Sequence, residues 1–125
     1  MKLSEYFKTA KGQGVLATAD AKGKVDVAIY AVPHVIDDDT IAFIMTQKLT
    51  HKNLQSNPRA AYLFIEEEEK YKGKRLYLTK IKEEKDSPLL DAIRRKEYPH
   101  LKGKENLVYF KVDKILPLIG AGAGL

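Results

Sequence analysis

The apolar and polar residues of the chain alternate in short segments separated by turns. The segments 14–20 (GVLATAD) and 25–32 (VDVAIYAV) flank the turn AKGK and predict a first β-hairpin. The segment 35–45 (VIDDDTIAFIM) predicts a second hairpin that turns at 37–39. Beyond Asp26, the segment 25–32 is apolar at nearly every position, which indicates a strand buried on both faces.

Three further segments are typical of strands: 59–68 (RAAYLFIEEE), 74–84 (KRLYLTKIKEE) and 105–116 (ENLVYFKVDKIL). The helical segments are too few and too irregularly placed for a doubly wound parallel fold. Strands at short intervals instead favour an antiparallel sheet that closes into a small barrel. The sequence therefore predicts a mainly β protein, a β-barrel with short helices, in one domain of 125 residues.

Two helices are predicted near the ends of the chain. The first has its apolar residues on one face and is expected to end at Gly12 and Gly14; the face comprises Leu3, Tyr6, Phe7 and Ala10. The other begins with Ser87 as N-cap and Pro88 as its first residue. Its buried face is predicted to comprise Leu89, Ala92 and Ile93.

Composition narrows the possible functions. The chain has no cysteine, which excludes disulfides, thiolate metal sites and cysteine nucleophiles. The net charge of +5 favours anionic partners. No apolar stretch approaches the length of a membrane helix, and the N-terminus lacks the apolar core of a signal peptide, so a cytoplasmic protein without a membrane partner is expected.

No catalytic residue or metal ligand can be assigned from the sequence. The three histidines, His34, His51 and His100, do not share a metal-ligand spacing. The chain also has no nucleophile elbow, no phosphate-binding P-loop and no dinucleotide fingerprint.

The stretch TQKLTHKNLQSNPR (46–59) follows a predicted strand and opens a predicted helix over 51–56. Thr50 is the expected N-cap, and Asn57-Pro58 is expected to end the helix. The start of a helix carries unpaired N–H groups and partial positive charge. With Thr46, Lys48 and Lys52 nearby, this stretch is either a phosphate site or an ordinary charged surface helix, and its residues alone leave both open.

Two segments resemble motifs of the pyridoxamine 5'-phosphate oxidase-like family of FMN-binding split β-barrels. GVLATADAKGKVDVAIYAV is similar to the family pattern ATxDxxGxPxVxPV, and TQKLTHKNLQSNPRAAYLF to T...S.K..NL..NP.V.L. The resemblance covers nearly the whole chain and is to the small single-domain members. It implies an antiparallel split β-barrel that forms a homodimer, with FMN held at the dimer interface.

The resemblance also implies a set of FMN-binding residues: Ala28, Ile29 and Tyr30 with Ile44, Met45 and Thr46 for the flavin ring, and Lys48, Thr50, Lys52 and Asn53 near the phosphate. Many members have serine where this chain has Lys48, and lysine or arginine where it has Thr50, so the cation and the hydroxyl are exchanged. The C-terminal arginines and histidines of the enzymes acting on pyridoxamine phosphate are missing. Oxidation of that substrate is therefore not expected.

A redox role is the leading hypothesis, because FMN itself supplies the redox chemistry and the chain shows no catalytic constellation. Its redox partner, a small molecule or a protein, stays open. One alternative is a protein of the same fold that binds F420, or haem through His34 or His51. A second is a small basic barrel that binds nucleic acid, with tyrosines that stack on bases: Tyr30, Tyr62, Tyr71 and Tyr77. The tyrosines look like core residues, which makes this the weaker alternative.

Overall fold

The computed structural model describes residues 2–46, 48–97 and 105–120. Its strands belong to one antiparallel sheet of seven, which confirms the predicted mainly β class. In chain order the elements are α1 (Leu3–Thr9), β1 (Gly12–Ala19), β2 (Val25–Ile29), β3 (His34–Asp37), β4 (Thr40–Thr46), α2 (Leu49–Ser56), β5 (Arg59–Glu66), β6 (Gly73–Glu84), α3 (Pro88–Glu97) and β7 (Glu105–Pro117). Within these ranges, no helix is long and apolar enough to span a membrane.

The sheet curls around a single large core. Its strand order is β2-β1-β5-β6-β7-β4-β3, so β2 and β3 are the edge strands although they are adjacent in sequence. Phe43 of β4 nevertheless meets Tyr62 of β5, with 5.0 Å between ring centroids. Strands that are distant in the sheet thus share one core, to which α1 adds Leu3 and Phe7. The hairpins predicted from the turns are confirmed as β1–β2 and β3–β4.

A smaller core lies on the outer face of β4 and β7, where α3 covers it. Ser87 caps α3 as predicted, since its Oγ accepts the Leu90 N–H at 3.0 Å. The predicted buried face was partly wrong. Leu90 and Ile93 are buried against the sheet, whereas Leu89 and Ala92 are exposed. Ile93 was predicted correctly, and Leu90 takes the place of Leu89 because it is the residue that packs against Ala42, Leu107 and Tyr109 of the sheet.

Strand β2 departs most from the prediction. It is not buried on both faces: Val25, Val27 and Ile29 are 77%, 67% and 72% exposed. The reason is its place at the edge of the sheet, where the curved core reaches only the other side of the strand. That side bears Asp26 and Ala28, which are partly buried. An apolar pattern shows that a side chain suits burial but does not show what buries it. The three exposed residues are called the β2 stripe below.

Neither Gly12 nor Gly14 ends a helix, since α1 ends at Thr9 and both glycines lie within β1. A Cβ at Gly14 would lie 2.0 Å from the Tyr62 hydroxyl oxygen and 2.5 Å from the Tyr30 carbonyl oxygen. Glycine is therefore needed for close approach rather than for helix termination. The space admits the Tyr62 hydroxyl, which donates to the Ala31 carbonyl at 2.9 Å. This bond fixes the segment that joins β2 to β3.

Candidate functional site

An open cavity of about 500 Å³ lies between the end of β2, the segment that follows it, β4 and the start of α2. It falls in the size range of about 300–1,000 Å³ that is common for small-molecule sites. The residues that line it are Asp26, Ala28, Ile29, Tyr30, Ala31, Val32, His34, Phe43, Ile44, Thr46, Lys48, Leu49 and Thr50. Most of its surface is apolar, and the charged side chains of Asp26 and Lys48 come from β2 and from the start of α2.

Tyr30 is the best-fixed side chain of the apolar wall. Its ring meets Phe43 edge to face, with 5.6 Å between centroids. Its backbone N–H donates to the Gly14 carbonyl at 3.0 Å, and its own carbonyl accepts a bond from Tyr62 at 3.2 Å. Burial raises the pKa of the Tyr30 hydroxyl, and a side-chain hydrogen bond with Thr50 partly opposes this rise. The wall is therefore held by backbone and side-chain contacts before any ligand binds.

The polar end of the cavity is the first turn of α2. The helix begins at Leu49, two residues before the predicted start, so Lys48 is the N-cap and makes no side-chain cap hydrogen bond. The prediction of Thr50 as N-cap was wrong: Thr50 lies inside the first turn, is 5% exposed and contacts Tyr30. This tertiary contact extends the helix beyond the cap that local sequence favours. The predicted end is confirmed, because Asn57 is the extended C-cap before Pro58.

The first turn of α2 is suited to an anion. It contains no acidic residue, and its amides lack a side-chain cap. Lys48 lines the same cavity and adds a full positive charge. A helix start with these properties favours a phosphate or carboxylate group.

The structure brings most of the expected binding residues together. Seven of them line the cavity: Ala28, Ile29, Tyr30, Ile44, Thr46, Lys48 and Thr50. Met45 does not, because its side chain is 1% exposed in the barrel core. Lys52 and Asn53 line a neighbouring cavity of about 460 Å³. Asn53 is 4% exposed and its Nδ2 donates to Thr18 Oγ1 at 3.1 Å, so it anchors α2 to β1.

Sequence reasoning missed two polar or aromatic residues in this wall, Asp26 and Phe43. Both could have been found from the two-residue period of a strand. Asp26 and Ala28 share the partly buried side of β2, opposite the exposed side chains, and Phe43 lies on the core side of β4. Leu49 could not have been assigned to the lining from the sequence, because its helix was expected to begin at residue 51.

The histidines occupy different environments. His34 lines the cavity. His51 lies on α2 and pairs with Glu83 of β6 at 2.8 Å, and His100 falls outside the described residues. Gln55 and Lys80 also donate to Glu83, at 3.0 and 2.5 Å. Burial alone would raise the pKa of Glu83, but the bonds from His51, Lys80 and Gln55 outweigh it and lower the pKa to about 2.

The lowered pKa of Glu83 predicts that the stability of the fold depends on pH. Its folded-state pKa of about 2 lies below its ordinary value of 4.5, so its contribution is complete above pH 4.5 and disappears as the pH falls towards 2. We expect Glu83→Gln to lower the free energy of unfolding by an amount of the order of 3 kcal/mol at pH 7. Urea unfolding of both proteins at pH 7, 4.5, 3 and 2 measures the difference in their free energies of unfolding. A gap between wild type and variant that stays constant over this range would contradict the assignment.

The structure is a small antiparallel barrel with an open cavity beside an edge strand. The chain matches the family model described as pyridoxamine 5'-phosphate oxidase over residues 3–115. The chain therefore belongs to the pyridoxamine 5'-phosphate oxidase family, and its barrel is the split barrel of that family. No curated protein matches the sequence significantly.

Solved structures share this fold at low sequence identity. An FMN-binding protein from Syntrophomonas wolfei subsp. wolfei is 23% identical, with a TM-score of 0.79 over 95% of this chain and 85% of its own. An F420 reductase is 18% identical, with a TM-score of 0.69 over 89% and 94% of the two chains. HutZ, the heme storage protein from Vibrio cholerae, is 20% identical, with a TM-score of 0.64 over 94% and 95%. The same fold thus occurs in proteins whose names refer to FMN, to F420 and to haem.

Proposed function

We propose that this protein is an FMN-binding flavoprotein with a redox role, in electron transfer or in reduction of a small acceptor. One observation carries the proposal: a single cavity joins an apolar wall to the cationic start of α2, where no side chain caps the helix. FMN has the same two parts, an apolar ring system and a phosphate. The likeness of this fold to that of an FMN-binding protein supports the assignment.

The residues present fit this cofactor. The backbone of 28–30 and the side chain of Ile44 would hold the ring, and Lys48 with the first amides of α2 would hold the phosphate. Met45 and Asn53 would act only through the core and through the position of α2. FMN, when bound, supplies the electron chemistry, so the chain has to bind, orient and shield it.

The protein is further proposed to be a homodimer. The β2 stripe exposes three large apolar side chains on an edge strand, and natural proteins usually cover such an edge. Ile29 belongs both to the stripe and to the cavity lining. A second copy seated on the stripe would therefore also cover the open side of the cavity and exclude water from the cofactor.

The visible spectrum of the purified protein tests the proposal. We expect a yellow protein with the absorption bands of oxidised flavin, and release of FMN on denaturation, identified by its mass. Colourless protein should take up added FMN, seen as quenching of flavin fluorescence. A protein that neither retains FMN on purification nor takes up added FMN would refute the proposal.

Haem is the second candidate, and the observation that favours it is His34 in the cavity lining. His51, the other histidine considered as an axial ligand, is paired with Glu83 instead. A Soret band that His34→Ala abolishes would favour haem over FMN. Mass spectrometry of the released ligand separates FMN from F420, which the likeness to an F420 reductase raises as a third possibility.

A further inference from the structure

Asp26 occupies an unusual position for a carboxylate. It lies on β2, paired in register with Thr18 of β1, which is 4% exposed. Its side of β2 faces the barrel rather than the exposed stripe, and it is half-buried. Asp26 lines both the main cavity and the neighbouring one, and Leu49 also lines both. Asp26 therefore stands at the junction of the two cavities, next to the first turn of α2.

Within residues 2–46, 48–97 and 105–120, the side-chain carboxylate of Asp26 makes no hydrogen bond or ion pair. Lys48 lines the same cavity, but the pair is not within salt-bridge distance. A carboxylate that is partly removed from water without a partner destabilises the protein. Its charge also reaches Tyr30, whose raised pKa is due first to burial and in smaller part to Asp26. These features are those of a group that receives its donors from a ligand.

The chemistry of the cavity limits which groups of a ligand could donate hydrogen bonds to Asp26. A carboxylate repels phosphate, so Asp26 is unsuited to the anionic group that Lys48 and the helix start would take. It interacts with Tyr30 of the aromatic wall and lines the cavity with Leu49 of the first turn of α2, so it lies near both the wall and the proposed phosphate end. Neutral hydroxyl groups satisfy a carboxylate without adding charge.

We propose that Asp26 is a specificity-determining residue, which accepts hydrogen bonds from the hydroxylated chain that links the ring of the ligand to its phosphate. For FMN this is the ribityl chain. The inference rests on the proposed function and extends it, because it names the group of the ligand that Asp26 selects. A ligand with the same ring and no hydroxyl chain would leave Asp26 unpaired and bind more weakly.

Riboflavin and lumiflavin test this directly, because both lack the phosphate and only riboflavin has the hydroxyl chain. Using fluorescence quenching, we expect the wild-type protein to bind riboflavin at least about tenfold more tightly than lumiflavin. In Asp26→Leu this preference should fall to about threefold or less, with lumiflavin affinity unchanged. Asp26→Asn, which keeps one acceptor oxygen, should lie between the two.

Asp38→Asn is the matched control, since it removes the same charge from an exposed turn, where Asp38 pairs with Lys2 at 3.8 Å. It should leave both affinities unchanged, and the melting temperature of Asp26→Asn should not fall. Equal loss of both flavins in Asp26→Leu, or no preference in the wild-type protein, would overturn the proposal for Asp26 while leaving FMN binding intact. A wild-type protein that binds no flavin would instead overturn the proposed function.

Discussion

Replacing Lys48 by glutamate and Thr50 by valine in the same chain is expected to weaken FMN binding by about a hundredfold or more. Lys48→Glu reverses the charge at the N-cap of α2, and Thr50→Val removes a hydroxyl from the lining at nearly constant shape. Riboflavin lacks the phosphate, so its affinity should change by about threefold or less. Fluorescence titration with both flavins measures the ratio.

The single variants and one neighbour provide the controls. Lys52→Glu makes the same charge reversal on α2, but Lys52 lines the neighbouring cavity. It should lower FMN affinity much less than Lys48→Glu, because charge interactions at exposed sites weaken with distance and salt. Circular dichroism of each variant checks that the fold is intact. Equal loss of FMN and riboflavin in the double variant would show that the start of α2 is not the phosphate site.

The pattern of the sequence predicted the strands well because a two-residue period is a local property. It paired β1 with β2 and β3 with β4, and it placed the end of α2 at Asn57, where the following proline acts on its immediate neighbour. It also placed Ser87 correctly as a cap, since its partner is only three residues away. Features set by nearest neighbours were therefore accessible without a structure.

What the sequence could not predict depends on contacts between distant segments. Val27 and Phe64 are equally apolar, but Val27 lies on an edge strand and is 67% exposed while Phe64 is buried. Thr50 resembles an N-cap, but its contact with Tyr30 places it inside the helix. For the candidate site, the motif resemblance identified the region, and the separation of Lys52 and Asn53 from the main cavity required coordinates.

Replacing both Val27 and Ile29 by lysine is expected to convert a dimer into a monomer. Each side chain of the β2 stripe that a second copy covers contributes about 1.5–3 kcal/mol, and a buried lysine without a partner adds a further penalty. The dissociation constant of the dimer should therefore rise by about a thousandfold or more. Sedimentation equilibrium over a range of concentrations measures it, with retained circular dichroism as the check on folding.

Leu89→Lys on α3 is the matched control, because it also replaces an exposed apolar residue, at 40% exposure, but not on β2. It should remain as dimeric as the wild-type protein. A wild-type monomer, or a Val27→Lys, Ile29→Lys variant that stays dimeric, would contradict the proposed interface. FMN affinity of the single variant Val27→Lys, at a residue outside the cavity lining, then separates two arrangements. If this variant is monomeric and loses FMN, the second copy completes the cavity, and if it is monomeric and keeps FMN, one chain holds the cofactor alone.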